Sequence, residues 1–349
     1  MKVLVTGASG FVGREIVAEL FDNGIETAQI SRQERNFVNT GTFDSGNYFQ
    51  ADIADEDSLK AVEELGKIDA VIHCAGLAHQ FKNIDESEFE KVNVLGTKNI
   101  LDLAVKLNAA HFILISSTAV YGIKKQTAND NLSNGSIDGI DENEVCSPET
   151  GYAESKLAAE KAALDICAAN NVSLTILRLS PVIGEGNAGN VARLIETVDK
   201  KRFVWVGKGK NLKSMIYKKD AARACVKVLK EKRAGIEIFN LAGKPIRMSE
   251  FVECIGESLE RKIPKINIPP FIFERFFKLN SKIAWIKKIE NLARIIEKWL
   301  SDDVYSAEKI ARAYNFKPET STTDAVKRQI AFYKLHKGEQ KGERIKAEK

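Results

Sequence analysis

The sequence predicts an α/β chain, a doubly wound parallel sheet followed by a smaller, mostly helical C-terminal domain. Three observations carry that prediction. Short runs of β-branched and aromatic residues alternate with helix-periodic segments through the first half of the chain, which is the pattern of buried parallel strands joined by right-handed crossovers. A glycine triplet separates the first of these runs from the first helical segment. The length, 349 residues with 44% hydrophobic and 29% charged, supports one large or two moderate domains with a substantial core. That composition excludes a disordered, collagenous or disulfide-framework chain.

In order, strands are expected at 3–6, 27–30, 48–50, 70–74, 112–116 and 174–177, and helices at 11–23, 58–65, 86–107 and 152–170. The alternation holds to about residue 178. Beyond it, 236–241 reads as one more strand and 190–205 and 248–262 as helices. Segment 264–270 carries three of the seven prolines and reads as a linker or shaped loop. Residues 337–349 have no apolar period and read as a disordered tail. The dinucleotide-type domain is therefore expected over 1–178 plus about 214–243, and the substrate-binding domain over about 179–213 and 244–336.

Charge and cysteine content narrow the partners. The 52 Lys and Arg against 48 Asp and Glu leave a net +4, too balanced for nucleic acid to be the main partner. Five cysteines, an odd number with no knuckle spacing, and four histidines point away from metal and towards a reducing, cytoplasmic setting. The opening apolar run ends at Thr6, well short of a signal-peptide core, and no stretch reaches the roughly 18 apolar residues of a membrane span.

Gly7, Ala8, Ser9, Gly10, Phe11, Val12 and Gly13 follow the first strand with G-x-x-G-x-x-G spacing. Such a loop makes a tight turn, lets backbone approach a pyrophosphate and packs the helix closely on the strand. The helix N-terminus adds free N–H groups and partial positive charge. The second strand ends at Ser31 and Arg32, without the carboxylate that receives an NAD ribose. These two residues favour NADP, because arginine binds phosphate through two parallel hydrogen bonds; a solvated arginine is the plain alternative. Asp52 and Ile53, after the third strand, are placed to meet the adenine.

The strongest chemical signal is Tyr152 and Lys156 at i and i+4 on one helical face. A neighbouring ammonium, aided by a nicotinamide's positive charge, lowers a phenol pKa from about 10 and makes proton exchange feasible. Ser117, just beyond the fifth strand, can hydrogen-bond the same reacting oxygen.

With these residues the chain resembles an extended short-chain dehydrogenase/reductase of the NAD-dependent epimerase/dehydratase family, which acts on nucleotide sugars. The resemblance runs from Lys2 to about Pro318. It rests on VTGASGFVG at 5–13, ADI at 51–53, HCAGL at 73–77, VNVLGT at 92–97, SSTAVYG at 116–122 and YAESK at 152–156, with LRLSPVIGEG at 177–186 and SAEKIARAYNFKP at 306–318. It implies a Rossmann-like fold, a homodimer and bound NAD or NADP. It further implies that Ser117 and Tyr152 handle a sugar hydroxyl proton and that Lys156 holds the nicotinamide ribose. Cys74, Ala75, Gly76, Asn93, Ser116 and Pro181 would lie along the cofactor; taken by itself, Cys74 reads as a small core hydrophobe.

The dehydratase branch carries Asp-Glu where this chain has Thr118-Ala119. A 4,6-dehydratase is disfavoured on that ground, since no acid and base remain for water elimination. For the substrate side the resemblance assigns the diphosphate to Asn190 and Lys213, the latter replacing a more usual arginine, and brings Thr118 to the sugar. His79 either lines the sugar pocket or is simply a hydrogen-bonded histidine. Residues 271–300 carry seven Lys and Arg, three Glu, four Phe and two Trp. They form either a face packed on the chain's own domain or a peripheral contact with an anionic membrane.

Two activities compete. One is 4-epimerisation of a UDP-hexose or UDP-N-acetylhexosamine through a transient 4-keto sugar on tightly bound cofactor. The other is NADPH-dependent reduction of a keto-sugar or carbonyl compound. A non-catalytic dinucleotide-binding regulator is a third reading, disfavoured because Tyr152 and Lys156 are both present.

Overall fold

The computed structural model describes residues 1–33, 47–78, 85–123, 139–269 and 298–347. Seven strands form one sheet: β1 (Lys2–Thr6), β2 (Glu26–Ser31), β3 (Asn47–Gln50), β4 (Ala70–His73), β5 (His111–Ser117), β6 (Ser173–Leu179) and β11 (Ile236–Leu241). Their spatial order is β11-β6-β5-β4-β1-β2-β3, and every neighbouring pair is parallel. The central strands β1, β4 and β5 are buried on both faces, as a doubly covered sheet requires, while β3 at the edge is only partly buried. In β1, Val3 and Val5 join one core with Ile16 and Leu20 of helix α1 (Gly13–Asp22), while Leu4 joins the opposite core. Opposite α1 the sheet carries α2 (Glu56–Glu63), α4 (Gly96–Lys106) and α5 (Gly151–Ala169). The strand order reverses between β1 and β4, so the crevice beyond their carboxyl ends is where a ligand sits in such a sheet.

The helix expected over 86–107 is broken in two. α3 (Glu86–Phe89) leads into a π-helical turn at Glu90–Leu95 before α4. Such turns interrupt α-helices where a side chain must be re-aimed, and the residue re-aimed here is Asn93.

The smaller unit has its own core, in which Leu194, Ile195 and Val198 of α6 (Asn190–Asp199) meet Phe251, Val252 and Ile255 of α8 (Met248–Leu259). Val326 and Ile330 of the last helix, Thr322–Ala347, complete it. α7 (Lys218–Lys230) comes between α6 and α8, and three short strand pairs accompany these helices: β7 (Val182–Ile183), before α6, with β10 (Ile216–Tyr217); β8 (Trp205–Val206) with β13 (Asn267–Ile268), after α8; and β9 (Leu212–Lys213) with β12 (Ile246–Arg247).

Three expectations change. The helix expected over 190–205 stops at Asp199, because Lys201 takes φ 57° and the Lys201 and Arg202 amides turn back to the Val198 and Thr197 carbonyls, a C-terminal stop. The tail expected from 337 continues the last helix to Ala347. The helix Glu308–Tyr314 lies inside the stretch assigned to the substrate domain, yet its Ile310 and Tyr314 pack into the core beneath the sheet. The amphipathic stretch 271–300 lies outside the described residues except for 298–300, which are helical.

His73, at the end of β4, is buried between two threonines, with Nδ1 2.7 Å from Thr6 Oγ1 and Nε2 3.0 Å from Thr97 Oγ1. The Thr97 hydroxyl already donates to the Asn93 carbonyl, so the neutral Nε2–H tautomer satisfies both contacts. Burial lowers the pKa of His73 to about 3 and that of His111 to about 4. Both folded values lie below the unfolded value near 6.5, so as pH falls the unfolded chain takes up protons first. Stability is therefore present above about pH 6.5 and is lost below it, by about 1.4 kcal/mol per pH unit for each histidine. Urea unfolding followed between about pH 7 and pH 5 checks this, and a flat profile would refute it.

Candidate active site

The glycine loop is built by backbone geometry. Gly7 has φ +67°, and a Cβ there would stand 2.7 Å from the Ala75 backbone. A Cβ on Gly13 would stand 2.0 Å from the Gly7 carbonyl oxygen. Both are confined to glycine, Gly7 by the turn and Gly13 by close helix–strand packing. Gly10 donates its N–H to Gly7 O at 2.8 Å and is solvent-exposed. Helix α1 begins without a side-chain cap at Val12, directly after this loop at the carboxyl end of β1. These features fit a dinucleotide pyrophosphate.

At the 2′ end, the Ser31 and Ser9 hydroxyls are 2.6 Å apart, Ser31 is buried, and Arg32 is exposed beside it. Asp52 spends one carboxylate oxygen on the Ala54 N–H, and Ile53 is buried in the core. Gly76 is exposed at the crevice; a Cβ on it would approach Asn93 Oδ1 at 3.1 Å and Lys156 Nζ at 3.8 Å.

Ser117 ends β5, and α5 begins at Gly151 under a Thr150 cap whose hydroxyl accepts from the Ala153 N–H. This start sets Tyr152 in the first turn, where its phenol lies close enough to the Ser117 hydroxyl to feel it and its ring meets Phe89 edge-on at 6.2 Å. One turn on, Lys156 is buried and donates to the Ile115 carbonyl at 2.6 Å. The three residues expected to act together are thus brought together.

Their electrostatics differ from expectation. Burial pushes the Tyr152 phenol above its ordinary value, with the Ser117 hydrogen bond opposing. Burial lowers the Lys156 ammonium, partly offset by the Glu160 carboxylate. The protein alone therefore does not depress the tyrosine. Of the sources named above, the charge left to do so is that of the oxidised nicotinamide. Burial also pushes the Cys74 thiol up to about 11, so Cys74 stays a neutral wall residue.

Several predicted site residues turn inward. Asn93 is buried and commits its amide to Leu77 N at 2.7 Å, Leu77 O at 3.1 Å and Ser155 Oγ at 2.9 Å. It positions the 74–77 loop against α5. Ser116 donates to Glu160 at 2.5 Å inside the core. Thr118 is buried and donates to the Leu179 carbonyl at 3.3 Å, which turns its hydroxyl away from the crevice. Pro181 is exposed after β6, its carbonyl receiving the Ile216 N–H. Asn190 opens α6 and is exposed. Lys213 ion-pairs with Asp303 at 2.6 Å and also donates to the Lys298 carbonyl; a diphosphate would have to displace these partners. His79 lies outside the described residues.

Sequence reasoning missed a buried network beneath the site. Arg178 of β6 grips Glu160 through Nε and Nη2, at 2.7–3.2 Å, and donates to Tyr121 OH at 2.9 Å. Tyr121 in turn donates to Asn240 at 2.8 Å. Glu160 stands four residues beyond Lys156, and that spacing was the available signal.

A strand-end serine, a Tyr–Lys pair and a glycine loop at a switch point define a dinucleotide-dependent oxidoreductase-type enzyme. Residues 3–242 match the model of the NAD dependent epimerase/dehydratase family, and the chain belongs to that family. It is 30% identical over 316 residues, 88% of each chain, to an N-acetyl-alpha-D-glucosaminyl-diphospho-ditrans,octacis-undecaprenol 4-epimerase of Escherichia coli O157:H7. It is 26% identical over 341 residues to a human dTDP-D-glucose 4,6-dehydratase, covering 89% of this chain and 93% of that one. Its fold is that of the Thermotoga maritima UDP-glucose 4-epimerase solved with UDP-glucose, at TM-score 0.74, 19% identity and coverage of 96% of this chain and 99% of that one. Among the described residues no helix is long and apolar enough to cross a membrane, and no group of three or more candidate ligands gathers for a metal ion.

Proposed function

We propose that this enzyme is a 4-epimerase for a hexose or N-acetylhexosamine carried on a diphosphate. The observation that carries the reading is the Ser117–Tyr152–Lys156 constellation followed by Thr118 and Ala119 rather than an Asp-Glu pair: Thr118 is buried and Ala119 has no functional group. A hydroxyl can be deprotonated and reprotonated there, while elimination of water lacks its acid and base. The relative that acts on a polyprenyl diphosphate-linked N-acetylglucosamine supports an N-acetylhexosamine.

NAD, when bound, supplies reversible acceptance of a hydride from C4. Tyr152 removes the proton of the C4 hydroxyl and returns it after the sugar turns. Ser117 hydrogen-bonds the same oxygen and shares the developing charge with Tyr152. Lys156, held by the Ile115 carbonyl, holds the nicotinamide ribose and keeps a positive charge near the phenol. Purified protein is incubated with UDP-N-acetylglucosamine and, separately, with its polyprenyl diphosphate-linked counterpart, and the sugar is followed by NMR. A C4-inverted product from either, without added cofactor, is the expected result; no inversion of either sugar would overturn the reading.

A keto-sugar reductase using NADPH is the second reading, favoured by β2 ending at Ser31 and leading into Arg32 rather than into a carboxylate, and by Arg32 exposed beside Ser31. On that reading Arg32→Ala removes a charge-assisted contact of roughly 1.5–3 kcal/mol. NADP affinity falls by about 10- to 150-fold while NAD affinity holds. Titration of both cofactors checks it, and equal losses would assign Arg32 to the adenine instead.

A further inference from the structure

The substrate domain carries an apolar ribbon that faces away from its own core. β8 and β13 pair in parallel, Asn267 with Trp205 and Ile268 with Val206. Successive side chains of a strand point to opposite faces. Phe203 and Trp205 take the inner face, their rings edge-on at 4.9 Å and packed against the domain core. Val204 and Ile266, each one step before the pair, are 52% and 77% exposed, beside exposed Asn267 and half-buried Val206 and Ile268. Continued one step back, the parallel register sets Val204 against Ile266, and a contiguous exposed apolar patch marks a contact surface.

The surroundings of the ribbon are basic. Segments 200–213 and 260–269 together hold nine Lys and Arg and a single acid, Glu260. Lys201, Arg202, Lys208, Lys210, Lys262 and Lys265 are all exposed. A cleft of about 480 Å³ near the ribbon is lined by apolar Phe203, Ile263 and Pro264 together with Lys201, Arg261, Lys262 and one acid, Glu260. Apolar side chains ringed by lysines suit a surface that is oily below and anionic above. Segment 271–300 is itself basic, with seven Lys and Arg against three Glu, so like charge opposes its covering the ribbon and favours an anionic partner.

We infer that this ribbon docks on the surface of an anionic phospholipid bilayer, with Val204 and Ile266 entering the headgroup–acyl boundary and the lysines meeting lipid phosphates. The binding combines apolar burial with attraction to anionic headgroups. It needs no sugar, so it stands or falls independently of the epimerase reading.

Full-length protein is sedimented with vesicles of phosphatidylglycerol and phosphatidylethanolamine in equal parts, and with vesicles of phosphatidylcholine. Wild type should pellet with the anionic vesicles only and be released by salt. Val204→Asp combined with Ile266→Asp should weaken binding about tenfold or more. Lys201→Gln combined with Lys262→Gln should weaken it by about fivefold per lysine and guards against a folding defect in the apolar pair; circular dichroism and NAD binding should be unchanged in both. Failure of wild type to pellet would overturn the proposal. Undiminished binding by the lysine pair, or by a folded apolar pair, would do the same by placing the membrane contact elsewhere. A shift in oligomeric state in the folded apolar variant would assign the ribbon to a second copy of the chain instead.

Discussion

Tyr152→Phe should lower turnover by about 10²-fold or more while leaving the fold and dinucleotide affinity nearly unchanged. The ring stays wedged against Phe89, so packing survives, and what disappears is the ionisable oxygen beside Ser117. Because burial holds the phenol high in the protein alone, cofactor charge has to lower it. The wild-type rate should accordingly fall towards acidic pH as the tyrosine protonates in the loaded enzyme, and the phenylalanine variant should lose that dependence. Turnover of Tyr152→Phe within a few-fold of wild type would remove this residue from the mechanism.

Arg178→Met should destabilise the protein by about 3–5 kcal/mol, the cost of leaving a buried carboxylate without its partner. Glu160 and Arg178 have side chains 2% and 5% exposed, so water cannot replace the lost guanidinium. Burial alone would lower the Arg178 pKa, but Glu160 raises it above its usual value, which keeps the pair ionised. The double variant Glu160→Gln with Arg178→Met should recover much of the loss, since no charge is then stranded. Urea unfolding of the three variants measures this, and a loss under about 1 kcal/mol for Arg178→Met would mean that the carboxylate finds another partner. The same network reaches the active site through Ser116, the neighbour of Ser117, and through α5, which carries Tyr152 and Lys156.

Much of the sheet and of the reacting group was legible in the sequence. All seven strands of the main sheet fall where the apolar runs place them, within one or two residues, because strands covered on both faces are rich in apolar residues at consecutive positions. Gly7 and Gly13 were legible because their backbone positions exclude any other residue. Tyr152 and Lys156 were legible because i, i+4 spacing on a helix is itself a distance.

The residues read from isolated segments fared differently. Thr118 sits in the right motif, yet its hydroxyl turns to Leu179, 61 residues away. Lys213 has the right charge, but Asp303, 90 residues on, neutralises it. The π-turn that points Asn93 at Leu77 and Ser155 leaves no mark on helical periodicity.

The sequence by itself determined the alternating elements, the glycine loop and the Tyr–Lys pair, because each is set by neighbours within a few positions along the chain. Only the tertiary structure decided which buried polar groups pair, as Arg178 does with Glu160 and Tyr121, and which face of β8 and β13 meets solvent. A buried donor takes whichever acceptor the packing brings within about 3 Å, and residues far apart in sequence reach that distance only once the chain has folded.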